Sequence, residues 1–294
     1  MEDIIIIGAG PAGLTSAIYA LRGGKKVLLL EAKNYGGNII NANEINNYPG
    51  YKSINGYDFA TNLYNQTIDL GARIEYEKVI NIVDHNEYKE VITEDNKYLT
   101  KRIIIATGVT NKKINLPNED ELLGKGISYC ATCDGALYKD KIVAVYGGGN
   151  TAVEDALFLS NYSKKVYLIY RKENLRADKI EVDKLKKKDN IEILYNSVIT
   201  KINGTNKLDS VTINDNNIID IDGLFIAIGQ IPANNFNIID KDDNNYIISD
   251  DDCHTNIKGI YVAGDVRNKK VRQLTTATSD GTIAALTLLK EFDN

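Results

Sequence analysis

One plan is written twice in this chain. Asp3 to Ile7, apolar from Ile4 on, reads as a buried strand that ends in Gly8-Ala9-Gly10-Pro11-Ala12-Gly13, and a helical stretch to about Gly23 leads to a second strand, Lys26 to Leu30, apolar from Val27 on. Further on, Ile142 to Tyr146 ends in Gly147-Gly148-Gly149-Asn150-Thr151-Ala152, followed by a helix to about Asn161 and the run Val166 to Ile169. Strand, glycine turn, helix and strand form a βαβ opening, and its parallel strands must be covered on both faces. After each opening comes a stretch of short β-branched runs broken by polar turns, about Arg73 to Ile105 and Ile191 to Ile221, which predicts an antiparallel meander. Each meander gives way to an apolar strand ending in a glycine, Ala106-Thr107-Gly108 and Ala227-Ile228-Gly229. The tail returns to a strand, Gly259 to Asp265, and a closing helix from about Gln273 to Glu291, which belong with the first half.

This internal repeat predicts an α/β fold. Two Rossmann-like, three-layer (ββα) nucleotide-binding domains are expected, the second inserted into the first, each with a small antiparallel meander. The expected boundaries are 1–112 with 241–294 for the first domain and 113–240 for the second.

The two glycine turns lead to strands with different charges at their ends. In the first, Gly8 permits the tight turn, Gly10 lets backbone approach a pyrophosphate, and Gly13 allows the helix to pack close. The helix that begins at Pro11 and Ala12 aims its free N–H groups at phosphate. Glu31, at the end of the second strand, can accept from ribose hydroxyls and repels a 2′-phosphate, which favours FAD or NAD over NADP. In the second, Gly147, Gly149 and Ala152 fit the same pattern with Asn150 and Thr151 at the helix start, but Arg171, Lys172 and Arg176 come where an acid would stand. Such a cluster suits a phosphate monoester, hence NADPH; a solvated basic loop is the plain alternative.

Between the two turns lies Cys130-Ala131-Thr132-Cys133-Asp134. A CxxC can cycle between disulfide and dithiol, and Asp134 is the obvious group to move the proton. A metal site joining this pair to Cys253 and His254 is disfavoured, since adjacent residues rarely both turn inward to one ion; no metal is expected. Cys253 itself reads as an uninvolved thiol on a strand edge. Gly264-Asp265, after an apolar strand, can hold a flavin's ribityl or phosphate region or be an ordinary turn. With three cysteines, a net charge of −5 and no apolar run long enough to span a bilayer, the composition points away from a disulfide-stapled secreted framework, nucleic acid and membrane. Strand residues begin at Asp3, leaving no room for a signal peptide, so a cytoplasmic protein is expected.

The chain resembles the low-molecular-weight thioredoxin reductases nearly end to end. The likeness is carried by Gly8 to Gly13, Gly36-Gly37, Asn47-Tyr48-Pro49-Gly50, Ala106-Thr107-Gly108 and Cys130 to Gly135. It continues through Gly147 to Ala152 with Glu154, Ala227-Ile228-Gly229, Ala263-Gly264-Asp265 and Arg272-Gln273. The resemblance implies FAD in the first domain, NADPH and a redox disulfide in the second, a homodimer, and thioredoxin or a thioredoxin-like protein as partner. It also implies that the NADPH domain turns about a two-stranded hinge, here about Thr110 to Leu116 and Ala233 to Asp240. Two positions depart from the family pattern: Tyr170-Arg171-Lys172 replaces His-Arg-Arg, and Asn38 after Gly37 replaces a glutamine near the flavin. The rivals are a reductase of the same shape fed by ferredoxin, a dithiol oxidase, and a non-enzymatic flavin sensor.

Overall fold

Each apolar run at the head of a glycine turn is a central strand of a parallel sheet. The structure, a computed structural model, describes residues 1–42 and 45–292. Two compact units are present: one comprises Met1–Asn41, Ile45–Thr110 and the chain from Ile231 onward, the other Asn111–Gln230.

In the first unit, Glu2–Ile7 lies between Val27–Leu30 and Lys97–Ile105, parallel to both. Arg73–Glu75 pairs parallel outside Val27–Leu30, and Ile260–Val262 pairs parallel with Ile103–Ile105. Alternate residues of the central strand face different layers. Ile4 and Ile6 pack with residues of the helices Pro11–Arg22 and Leu274–Lys290, while Ile5 and Ile7 pack with Ile82, Val91, Phe236 and Ile247. The long Lys97–Ile105 strand serves two kinds of pairing. Its first half pairs antiparallel with Lys89–Thr93 and alternates in burial; its last three residues, all buried, sit in the parallel region. That division explains why its sequence changes from alternating to continuously apolar.

The second unit repeats the order. From one edge its sheet runs Ile191–Leu194, Lys165–Ile169, Ile142–Tyr146, Gly223–Ile226 and Ile127–Ser128, with every neighbouring pair parallel. Val143 and Val145 pack with the helix Asn150–Leu159. Ala144 and Tyr146 face the antiparallel meander of Ile199–Gly204, Leu208–Ile213 and Asn217–Asp220.

The α/β fold with parallel sheets is as expected; three details differ. Arg73–Glu75 and Ile191–Leu194 are the third parallel strand of their units, not the first strand of a meander. The chain returns to the first unit between Gln230 and Ile231 rather than after Asp240, because Phe236 and Ile239 are buried in that unit's core. The segments that link the units, Val109–Asn111 and Gln230–Pro232, pair as a two-stranded sheet. Finally, Cys253 is not on a strand edge: it is fully buried with φ of 71° in the turn before Ile260–Val262. Among the described residues no helix is long and apolar enough to cross a membrane.

Candidate active site

The first glycine turn is held by contacts that leave no room for side chains. Gly8 has φ of 106°, and a Cβ there would come 2.5 Å from the Ala106 carbonyl oxygen; one on Gly13 would come 1.9 Å from that of Gly8. Gly10 is different, since a Cβ on it would meet nothing closer than the Gly37 Cα at 3.8 Å. The tight glycines bind strand, turn and helix together, and Gly10 leaves its backbone open, with Gly37 close against it (a Cβ on Gly37 would come 3.2 Å from the Gly10 Cα). Glu31 fixes this turn from the side: Oε2 accepts from the Ala9 N–H at 2.7 Å and Oε1 from the Lys33 N–H at 2.9 Å. Each oxygen keeps a second lone pair for a ribose hydroxyl.

Other expected residues gather at this turn. Ala106 meets Gly8, and a Cβ on Gly264 would lie 2.8 Å from the Ala12 Cβ. Asn38 donates to the Val109 carbonyl at 2.8 Å. Thr107 Oγ1 and Asp265 Oδ1 are buried and have no hydrogen-bond partner, although Lys269 Nζ stands 3.3 Å from the latter. Burial pushes the Asp265 carboxyl up, against the pull of Lys269 and Arg272. Arg272 lies over the Tyr246 ring at 3.9 Å and donates to the Asp265 and Arg267 carbonyls. Gln273 caps the Leu274–Lys290 helix in a capping box with Thr276. Asn47 is exposed in the turn through Gly50, whose Tyr48 packs edge-on against Phe59 at 5.0 Å.

The second glycine turn uses the same backbone with different chemistry. A Cβ on Gly147 would come 2.3 Å from the Ala227 carbonyl oxygen, while one on Gly149 would meet nothing within 4 Å. Ala152 is buried, its Cβ 2.9 Å from where a Gly147 side chain would start. Gly8 N bonds to Leu30 O and Gly147 N to Ile169 O, so Glu31 and Tyr170 occupy corresponding positions, as do Ala9 and Gly148. Where the first unit has a carboxylate accepting from Ala9, the second has the Tyr170 ring laid on Gly148, at 2.3 Å from a Cβ placed there. A ring thus takes the acid's place. Arg171, Lys172, Arg176 and Thr151 are exposed, and Arg176 N donates to the Gly148 carbonyl at 2.7 Å. Asn150, also exposed, accepts from Asp178 N at 2.8 Å.

Cys130 and Cys133 form a disulfide and are both partly exposed. Cys130 is the N-cap residue of the short helix Ala131–Asp134. Ser128 ties the site together: its hydroxyl donates to Asp134 Oδ2 at 2.7 Å and accepts from the Cys130 N–H at 3.0 Å. Asp134 Oδ1 is buried without a partner. Burial pushes the Asp134 carboxyl above the ordinary carboxylate range, against the lowering effect of the Ser128 hydrogen bond. A carboxyl so placed gives up its proton less readily than a solvated one, next in sequence to the disulfide.

The model of the pyridine nucleotide-disulphide oxidoreductase family matches residues 2–281. This chain belongs to that family. It is an oxidoreductase acting on a sulfur group. It is similar to the thioredoxin reductases of Listeria monocytogenes (39% identical over 290 residues, 96% of this chain and 91% of that protein) and Mycoplasma genitalium (41% over 295 residues, 97% and 93%). Among solved structures, the thioredoxin reductase of Streptococcus pyogenes superposes with a TM-score of 0.93 at 38% identity, covering 99% of this chain and 98% of that one.

Several residues that brace this oxidoreductase's site carry no sequence signal of their own. Asp280 sits mid-helix; it accepts from the Gly264 N–H at 3.1 Å, from Arg267 at 2.7 Å and from Lys269 at 2.9 Å, so the Gly264-Asp265 turn is anchored by a buried ion network. Arg267 also donates to the Cys253 sulfur at 3.3 Å, which gives that thiol a structural partner within the first unit. Gly281 lets the first and last helices cross: a Cβ there would be 2.3 Å from the Ala12 carbonyl oxygen. In the second unit the buried Glu119 accepts from the N–H groups of Ile114 and Asn115 and from the Tyr129 hydroxyl, holding the strand that leads into Cys130. Ser128 could have been suspected only by noticing a hydroxyl two residues before the cysteine.

Proposed function

We propose that this chain is an FAD-dependent, NADPH-consuming disulfide reductase that works as a homodimer on thioredoxin or a thioredoxin-like protein. The observation that carries this is a partly exposed disulfide, backed by a partly buried carboxyl, in a chain with two nucleotide cradles of opposite charge character. Relatives named thioredoxin reductase over nearly the whole chain support the choice of partner.

The first cradle fits FAD. Gly10 offers open backbone for a pyrophosphate, Glu31 keeps lone pairs for a ribose, and the buried Thr107 Oγ1 has no hydrogen-bond partner within the protein. Asn38 and Arg272-Gln273 belong to the same wall, and Asn47 is assigned to it by the family pattern. The second cradle fits NADPH. Gly149 faces open space, Asn150 and Thr151 open the helix, and Arg171, Lys172 and Arg176 are exposed and placed to take a 2′-phosphate, with no carboxylate in the position of Glu31 to repel it. The chemistry a bound flavin supplies is transfer of an electron pair from NADPH to sulfur.

The protein's own part is sulfur exchange. The electron pair breaks the Cys130–Cys133 bond and leaves two reduced sulfurs. One thiolate attacks the partner's disulfide and forms a mixed disulfide; the other cysteine displaces it, which restores the Cys130–Cys133 bond and releases the partner as a dithiol. Asp134, whose carboxyl burial pushes above the ordinary carboxylate range, is the group placed to hand a proton to the departing thiolate, and Ser128 fixes its carboxyl while the exchange proceeds. Replacing Cys130 or Cys133 with serine is expected to abolish thioredoxin reduction while NADPH still bleaches the flavin. Thioredoxin turnover surviving in both variants would remove the relay.

A further inference from the structure

The repeat that places Glu31 opposite Tyr170 also places two tyrosines in corresponding positions. Leu30 pairs with Glu75 and Ile169 with Leu194, so Tyr76 and Tyr195 each come directly after the last paired residue of the third parallel strand. Glu31 N donates to Glu75 O at 3.0 Å, and Tyr170 N to Leu194 O at 2.9 Å, so each tyrosine is the next residue along from the group beside the second strand's end.

A dinucleotide laid across such a sheet takes its strands in order. The pyrophosphate lies over the first strand's glycine turn and the adenosine ribose over the end of the second. The base must then lie outward, over the third strand, since neighbouring strands stand only about 4.8 Å apart. In the first unit that place is held by Tyr76, a residue 51% exposed that lies near Tyr64. Tyr64 in turn stacks on Tyr35 at 4.2 Å, and the Tyr35 hydroxyl meets Thr61 Oγ1 at 3.3 Å. A half-exposed aromatic side chain at that place offers surface for stacking. In the second unit Tyr195 is partly buried and lines a cleft of about 230 Å³ with Leu175, Ala177, Lys179 and Val182, directly after the basic loop.

We propose that Tyr76 and Tyr195 are the base-stacking residues of the two nucleotide sites, each serving only its own unit. This rests on the reading of the first cradle as an FAD site and the second as an NADPH site. Tyr76→Ala is expected to speed FAD release from the holoenzyme about tenfold, read as recovered flavin fluorescence on dilution, and Tyr195→Ala to weaken 2′,5′-ADP binding about tenfold by calorimetry. Each phenylalanine variant should behave as the parent, because the ring and not the hydroxyl makes the contact. The cross terms should stay flat: Tyr76→Ala leaves 2′,5′-ADP binding unchanged, and Tyr195→Ala leaves FAD release unchanged. A parent protein that holds FAD and binds 2′,5′-ADP, with both alanine variants indistinguishable from it, would overturn the stacking role alone. A parent that holds neither would overturn the functional reading and this inference together.

Discussion

The two units are built on one sheet order and diverge at two points of it. Beside the second strand, the first unit has Glu31 bonded to Ala9 N–H, and the second has the Tyr170 ring against Gly148. After the fifth strand, the first unit has Gly264-Asp265 braced by Asp280, and the second has the Cys130–Cys133 disulfide braced by Ser128 and Asp134. In sheet register Tyr261 opposite Ile104 corresponds to Ser128 opposite Phe225, so the disulfide stands where the other unit keeps Gly264-Asp265. A Rossmann sheet thus sets where groups will stand at its carboxyl edge, and a few side chains decide which nucleotide or which redox group stands there.

The contrast breaks most sharply at the last glycine of each turn. Gly13→Ala drives a Cβ to 1.9 Å from the Gly8 carbonyl oxygen and is expected to cost about 3 kcal/mol of stability with loss of bound flavin. The second unit already carries Ala152 at the matching position, and Ala152→Gly should cost only about 1 kcal/mol, the helix-propensity difference. Thermal melts with flavin release as a second signal compare the two; equal losses would contradict the difference in packing.

Next in size is Asp134→Asn, which removes the ionisable carboxyl but keeps the shape. Thioredoxin reduction should slow about 100-fold near neutral pH. The parent's rate should fall as pH rises through the raised carboxyl pKa, and the variant should show no such fall. A parallel pH profile in the variant would take Asp134 out of proton transfer.

The local parts of this comparison are legible in the sequence. Gly8 to Gly13, Gly147 to Ala152 and the CxxC each carry their chemistry within six residues, because turn, helix start and thiol pair are local objects. The third strands are not legible: Arg73–Glu75 and Ile191–Leu194 are too short to show a period, and only pairing to Leu30 and Ile169 reveals them. Asp280 and Gly281 are hidden for another reason. They act on Gly264 and Ala12 from a helix distant in sequence, and nothing local marks them. Tyr170 is visible as a departure from the family pattern, but its role in filling the place of Glu31 needs the register.

Smaller effects sharpen the charge difference between the units. Arg176→Ala should raise the KM for NADPH about tenfold and leave that for NADH nearly unchanged, since a single charged contact to the 2′-phosphate is lost. Equal changes for both nucleotides would make the basic loop structural. The smallest effect is at Asp155, on the second unit's glycine-turn helix, where burial pushes the carboxyl up to about 7 with Glu154 adding to it. A folded pKa above the unfolded one means stability present at low pH is lost as pH rises from 3.8 through about 7. Asp155→Asn should therefore raise Tm by a few degrees at pH 8 and leave it unchanged near pH 4; a gain at both would assign the effect to packing.

That one chain holds two cradles for two different nucleotides is tested most directly by anaerobic stopped flow on purified protein. Flavin absorbance is followed after mixing with NADPH and, separately, with NADH. Fast bleaching by NADPH and much slower bleaching by NADH at equal concentration is the predicted result. Flavin present but bleached by neither would contradict it, and would leave the second cradle without a donor to hold.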